Sequence, residues 1–275
     1  MRRFHSLARH RPEHAGAGGG STEGQPILLE GAHLVEEALS AGVTIEVAAV
    51  SARLLDQQAE GGRDAEIRRL ADRLARGGTR VVSVGTSVMA AMSPADTPSG
   101  LVAIARHEPA TPDAAFSGDR AAARLTLVAE SVQDPGNLGA MIRTAEAAGA
   151  TGVVASGVSA DPFGWKALRG AMGSTLRLPV ARVASAREAI EAARRNGLRV
   201  VASAARADTP LFGAALRGPI AILMGGEGAG LPADALELAD EVIAIPMQPP
   251  VESLNVAVAA GLLLYEAVRQ RRKDA

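Results

Sequence analysis

Residues 245–261 read IPMQPPVESLNVAVAAG, and this stretch decides how the rest of the chain is read. An apolar strand end, 242–245, runs into a turn built on Pro246, Pro249 and Pro250. The spacing predicts a long helix over 253–270, with Ser253 as its N-cap, because a Ser hydroxyl accepts from a free amide of the first turn. From Val256 to Leu264 that helix is apolar on all sides, which predicts burial on more than one face. The apolar run is too short to span a bilayer. Ser253 and Asn255 stand where helix and turn meet. Alone, an S-x-N at that place is a capped, buried helix and nothing more.

Two upstream stretches change that reading. The first is SVQDPGNLGAMIRTAEAAGA, 131–150, which follows a strand and opens a helix. It therefore lies at the carboxyl end of a strand, where parallel sheets place ligands. Asn137 reads as its N-cap, Leu138, Met141, Ile142 and Ala145 as its core stripe, and Arg143 as a side chain off that stripe, aimed into a cleft. The bland alternative pairs Arg143 with Glu146 in a solvated i,i+3 bridge. The second is ILMGGEGAGLP, 222–232, a strand entering a glycine-rich loop that holds one carboxylate, Glu227. Its GAGLPA segment fits a loose dinucleotide pattern. The next strand, however, ends in Ile245-Pro246-Met247 without the carboxylate that would hold a ribose, and no Lys follows the glycines as in a Walker A loop. Each of the three stretches follows a strand, so all three can converge on one site.

The totals set the frame. With 275 residues, 47% of them apolar and only 2% aromatic, the core must be built from Ala, Val, Leu and Ile. A net charge of −1 exerts no global pull on nucleic acid, and the absence of cysteine excludes disulfides, Cys metal sites and a Cys nucleophile. The composition points to a cytoplasmic protein with no membrane segment, no metal and no secretory leader. Residues 1–24, rich in Arg, His and Gly, read as a disordered arm. Residues 25–106 read as a small α/β unit, with strands at PILLEG, TIEVAAV, TRVVSV and LVAIA and a helix over 64–76. Residues 107–122 read as a linker. From 123 to 275 strands and helices alternate, predicting a parallel sheet covered on both faces. Strands are expected at 125–129, 152–155, 176–180, 198–202, 220–224 and 241–245.

Taken together, N-L-G-A-x-x-R-T-A, M-G-x-E-G-x-G and I-P-M…S-L-N resemble, in order and spacing, the three motifs of the SpoU/TrmH branch of the SPOUT methyltransferases. The resemblance covers roughly 123–270. It implies methylation of a ribose 2′-hydroxyl in RNA by S-adenosylmethionine, with 23S-type ribosomal RNA preferred. Transfer RNA, or a non-catalytic RNA-binding protein on the same fold, stands as the alternative. It also implies a deep trefoil knot in the C-terminal domain and a homodimer through that domain. Ala257, Ala259, Ala260 and Gly261 would allow close approach of a second element at the dimer contact. The unit 25–106, through LLEGAHLVEEAL and TPSGLVAIA, resembles the family's ribosomal-protein-like substrate-binding domain.

Carried over by position, Gly225, Ile245 and Leu254 match residues whose backbone touches the cofactor, with Ser203, Ala204, Gly226, Pro246 and Met247 lining the same pocket. Asn137, Arg143, Glu227, Ser253 and Asn255 match the polar active-site positions. One departure stands at Ala171, where many members carry a Ser that would bear on RNA choice if it touched RNA.

Overall fold

The computed structural model describes residues 2–8, 24–56, 62–118 and 124–272. Its first part is a four-stranded sheet made of β1 (Gln25–Glu30), β2 (Thr44–Ser51), β3 (Arg80–Val84) and β4 (Leu101–His107), in the order β1-β4-β2-β3. Strand β4 is antiparallel to both neighbours, and β2 and β3 are parallel. Helices α2 (Ala32–Ser40), α3 (Ala52–Asp56) and α4 (Gly62–Arg76) cover one face, with Ile67, Leu70 and Leu74 of α4 buried as their spacing predicts. The opposite face carries α1 (Arg2–Ala8) and α5 (Thr86–Met92).

Helix α1 corrects the reading of 1–24 as a disordered arm. Phe4 is 5% exposed against Leu28, Met89 and Ile104, and Arg3 pairs with Glu46 at 2.6 Å. An apolar residue and a salt bridge one position apart give this short helix a docking face. The remaining arm, 9–23, lies outside the described residues. The linker reading of 107–122 also needs correction. Helix α6 (Pro112–Ser117) forms there, capped by the Thr111 hydroxyl accepting from Ala114 N (3.2 Å), and Phe116 is fully buried. Pro and Ala broke the periodicity by sequence, but Pro at the first helical position is pre-set for a helix.

The second part is a seven-stranded, all-parallel sheet. Its strands are β5 (Leu125–Glu130), β6 (Gly152–Ser156), β7 (Val180–Arg182), β8 (Arg199–Ala204), β9 (Thr209–Pro210), β10 (Ile220–Gly225) and β11 (Glu241–Ala244), in the order β7-β6-β5-β10-β8-β11-β9. One face packs α7 (Pro135–Ala147), α8 (Trp165–Ala171), α9 (Ser174–Arg177) and α12 (Val256–Arg272). The other packs α6, α10 (Ala186–Arg195) and α11 (Ala233–Leu238). Residues 176–180, read as a strand, are helical up to Arg177. Pro179 cannot donate a ladder hydrogen bond, so the strand begins after it, at Val180.

Helices α7 and α8 meet backbone to backbone. A Cβ on Gly139 would overlap the Ala167 carbonyl, and one on Gly170 would stand 3.1 Å from the Gly136 oxygen. Ala171 is fully buried in this contact, so the departure noted there is a packing position and not an RNA contact.

Candidate active site

Parallel strands send every outgoing turn to one end of the sheet. Here β5, β10, β8 and β11 are consecutive neighbours, so the turns after them meet although they are far apart in sequence. The turn after β5 is the most constrained. Ser131 has φ 57°, in the left-handed region that a non-glycine residue enters at a cost. It is held there by its hydroxyl donating to Glu130 Oε1 (2.9 Å) and its N–H donating to the Ser156 carbonyl (3.0 Å). Glu130, 5% exposed, also accepts from the Ser156 hydroxyl at 2.5 Å. The backbone so fixed lies against the second turn: a Cβ on Gly226 would overlap the Ser131 carbonyl. Gly225 is equally confined, since its Cβ would overlap Gly230 and Leu231, where the loop folds back on itself.

Both predicted caps move. Asp134, not Asn137, caps α7: its carboxylate accepts from Asn137 N at 2.7 Å, with Pro135 at the first helical position. Asn255, not Ser253, caps α12, its Oδ1 accepting from Ala257 N (3.0 Å) and Val258 N (3.2 Å). That bond fixes which way the Asn255 amide points. Its Nδ2 donates to Asn137 Oδ1 (3.0 Å), and Asn137 Nδ2 donates to Glu227 Oε1 (2.6 Å). Freed from capping, Asn137 thus joins the three stretches in one hydrogen-bonded line that ends on a carboxylate.

Beside this line is a cavity of about 620 Å³. Of the residues expected to build it, Ser203, Ala204, Gly225, Gly226, Glu227, Ile245, Met247, Ser253, Leu254 and Asn255 line it. Pro246 does not, and neither do Asn137 and Arg143. Arg143 is exposed on α7, six residues and about 9 Å along the helix from Asn137. The bridge to Glu146 is not made. Glu146 is taken by Arg177, which donates to both its oxygens at 2.8 Å and also pairs with Glu37 of α2. Among the described residues Arg143 has no carboxylate partner.

The lining also contains Glu252, which the sequence reading passed over; its place beside Ser253 in the third stretch was the available signal. Glu130 was passed over as well, because a carboxylate ending an apolar strand reads as a solvated edge. The cavity's charged side chains are thus two carboxylates, Glu227 and Glu252, with no Arg or Lys in the lining. Such a lining repels a pyrophosphate, which removes the dinucleotide reading of the glycine loop. It suits a ligand carrying positive charge, and S-adenosylmethionine, with its sulfonium and ammonium, fits. Among the described residues no cluster of three or more potential metal ligands occurs.

Residues 124–265 match the SpoU rRNA Methylase family, and residues 22–103 match the MRM3-like substrate binding domain. The chain belongs to the SpoU rRNA methylase family. Within it, the chain is 34% identical over 245 residues to the 23S rRNA (guanosine(2553)-2′-O)-methyltransferase RlmP of Bacillus subtilis, covering 89% of each. It is 37% identical to an uncharacterized tRNA/rRNA methyltransferase of Synechocystis, covering 92% of this chain and 87% of that one. Among solved structures, the SpoU methyltransferase AviRb from Streptomyces viridochromogenes, in complex with AdoMet, superposes with a TM-score of 0.79. That alignment is at 28% identity and spans 98% of this chain and 96% of the other. No helix among the described residues is long and apolar enough to cross a membrane.

Proposed function

We propose that this SpoU-family protein methylates a ribose 2′-hydroxyl in ribosomal RNA, of the 23S type, using S-adenosylmethionine, and that it does so in the cytoplasm. The observation that carries the reading is the line Asn255–Asn137–Glu227 beside a cavity whose only charged lining groups are acidic. Bound there, the cofactor supplies an electrophilic methyl group. Gly225, Gly226, Ile245, Met247 and Leu254 would hold it largely through backbone. Pro246, outside the lining, would shape the turn, and Ser203 and Ala204 would close the opposite wall. Threading of the 245–255 segment through a knot is part of this reading. It is supported by the segment sharing one cavity with the 225–231 loop.

The chemistry asked of the protein is to make a poorly acidic hydroxyl nucleophilic. A guanidinium stays protonated in proteins, so Arg143 serves as a stabiliser of the developing alkoxide and a clamp on the adjacent phosphate, not as a base. Its lack of an internal partner suits that role, because an approaching phosphate need not displace a carboxylate. Asn137 and Asn255 would orient Glu227, and Ser253, which lines the cavity, would contact the ribose. The 2′-proton can leave to Glu227, to water or to the neighbouring phosphate.

Assembly as a homodimer belongs to the same reading. The support is not the small residues. Ala260 is buried and serves packing within the protomer, while Gly261 borders the exposed face of the helix. It is the solvent-facing side of α12, where Val258, Leu262 and Tyr265 at i, i+4, i+7 join Phe212 and Gly261 in an exposed strip. Such strips mark association surfaces. Light scattering at micromolar concentration should give twice the 28.0 kDa chain mass; a monomeric mass contradicts the assembly. For the activity, titration calorimetry should show S-adenosylmethionine binding and no NAD binding. Mapping of 2′-O-methyl groups after gene deletion should show one lost from ribosomal RNA. Binding of NAD instead, or an intact methylation map, would overturn the proposal.

A further inference from the structure

Helix α8 connects the two sheets. Its first residue, Trp165, packs against the cluster of Leu28, Met89 and Ile104 on the small sheet, while its last turn presses Gly170 and Ala171 onto α7. Ala167, Leu168 and Ala171 are buried, which turns Lys166 and Arg169 to solvent. Two side chains at i, i+3 lie about 5–6 Å apart at Cβ on one side of a helix. They also contrast with the paired arginines of the large domain. On the large domain Arg177, Arg182, Arg187, Arg194, Arg199 and Arg269 each have a carboxylate within 3.3 Å. Among the described residues Lys166 and Arg169 have none, and Arg143 on the adjoining helix has none. Arg124, Arg206 and Arg272 share this state but stand apart, before β5, on a loop and at the end of α12. The Lys166 ammonium sits 5.6 Å over the Trp165 ring, which restricts its motion without neutralising it.

A chain with net charge −1, whose large domain pairs the arginines named above, has left three cations uncompensated on two helices that touch. Both helices lie on the same face of the sheet, and α8 begins on the domain matching a substrate-binding family. We propose that Lys166 and Arg169 form a phosphate track, which leads a single RNA strand from the substrate-binding domain past Arg143 to the methyl-transfer site. The inference rests on the RNA-methylating reading above and adds where the strand runs. Spaced cations with no internal partner bind successive phosphates without reading sequence, so the track positions the strand and leaves choice of nucleotide to other contacts.

The chain contains one tryptophan, and it is Trp165, so RNA laid along α8 reports itself in the protein's fluorescence. A mixed-sequence single-stranded RNA should change Trp165 emission on binding to the full-length protein. Each phosphate contact contributes about 0.7 to the slope of log affinity against log salt for single strands. The double variant Lys166→Ala/Arg169→Ala should therefore flatten that slope by about 1.4 and weaken binding roughly 25-fold at 0.1 M salt. Its S-adenosylmethionine affinity should be unchanged, which also certifies its fold. Arg187→Ala, on the other face and paired with Asp234, should leave the slope as it is. If the wild type binds RNA and the double variant keeps its slope and affinity, the track is wrong while the methylation reading stands. If the wild type binds no RNA at all, both fall.

Discussion

The two sheets of this protein are built from the same residues, Val, Leu, Ile and Ala, yet only one makes a site. In the four-stranded sheet β4 runs against both its neighbours, so the turns are shared between two ends and no constellation forms. In the seven-stranded sheet every strand runs the same way, and the turns after β5, β10, β8 and β11 crowd one end. That crowding has a visible consequence in the glycines. Gly226 has no room for a Cβ because the turn after β5 occupies it, and Gly225 has none because its own loop folds back over it, whereas Gly85 of the small sheet has nothing within 4 Å of where a Cβ would go. A site built from several turns demands backbone contact between them.

The comparison breaks most sharply at those glycines. Gly225→Val should displace the loop that folds over it, at about the 1–3 kcal/mol typical of overpacking, and weaken S-adenosylmethionine binding roughly 10- to 100-fold. The block acts through the loop's own backbone and not by a side chain entering an intact pocket. Gly85→Ala should change calorimetric affinity by nothing measurable. Equal loss in both would mean that crowding is not what separates the sheets.

Glu130 sharpens the comparison at the next level of effect. It ends β5, an interior strand of the large sheet, and accepts two hydroxyls while buried. Glu130→Ala strands both donors and releases Ser131 from its left-handed conformation. The urea midpoint should report a loss of about 1–3 kcal/mol. Because the Asp134 cap and Asn137 follow directly, methyl transfer should fall by more than the folded fraction does, with Glu130→Gln recovering part of both. A stability loss with no separate activity loss would make Glu130 a strand-end carboxylate and no more.

The smallest expected effect lies between the sheets. His107 ends β4 with its ring 5.3 Å from Phe163, and burial holds its pKa below the ordinary value of about 6.5, with Glu108 opposing. A lowered base means the unfolded chain takes the proton first as pH falls. The stability His107 supports is therefore full above about pH 6.5 and lost as pH drops toward the folded-state value. Urea midpoints at pH 7.5 and 5.5 should differ slightly more for the wild type than for His107→Gln. An identical pH response would show that the ring carries no such linkage.

Much of this architecture is legible in the sequence, and the failures have physical causes. Alternating strands and helices and the convergence of three strand-end motifs follow from periodicity and motif order, while the residues lining the cavity are what the family resemblance implies, carried over by position. The caps were misassigned because Asp134 and Asn137, and likewise Ser253 and Asn255, are all competent caps. Only the tertiary partners of the asparagines decide which is used. The helix over 174–177 was hidden behind an alternating L-R-L-P pattern, and α1 behind a basic, glycine-flanked composition. Arg143 shows the limit most clearly. Its motif predicts a cleft residue, yet in the single chain it stands exposed, outside the cavity and without an ion-pair partner, because nothing local to α7 fixes where a long guanidinium side chain will work.

The central claim is that this unpartnered arginine acts on the transition state while the cofactor is held elsewhere. The direct measurement is single-turnover methyl transfer by Arg143→Ala on ribosomal RNA from cells lacking the gene, beside its calorimetric affinity for S-adenosylmethionine. The account predicts a rate lower by about 10²–10³ with cofactor affinity unchanged, and little rescue by Arg143→Lys. Turnover close to wild type on that RNA would contradict it, and would leave Arg143 an ordinary solvated side chain.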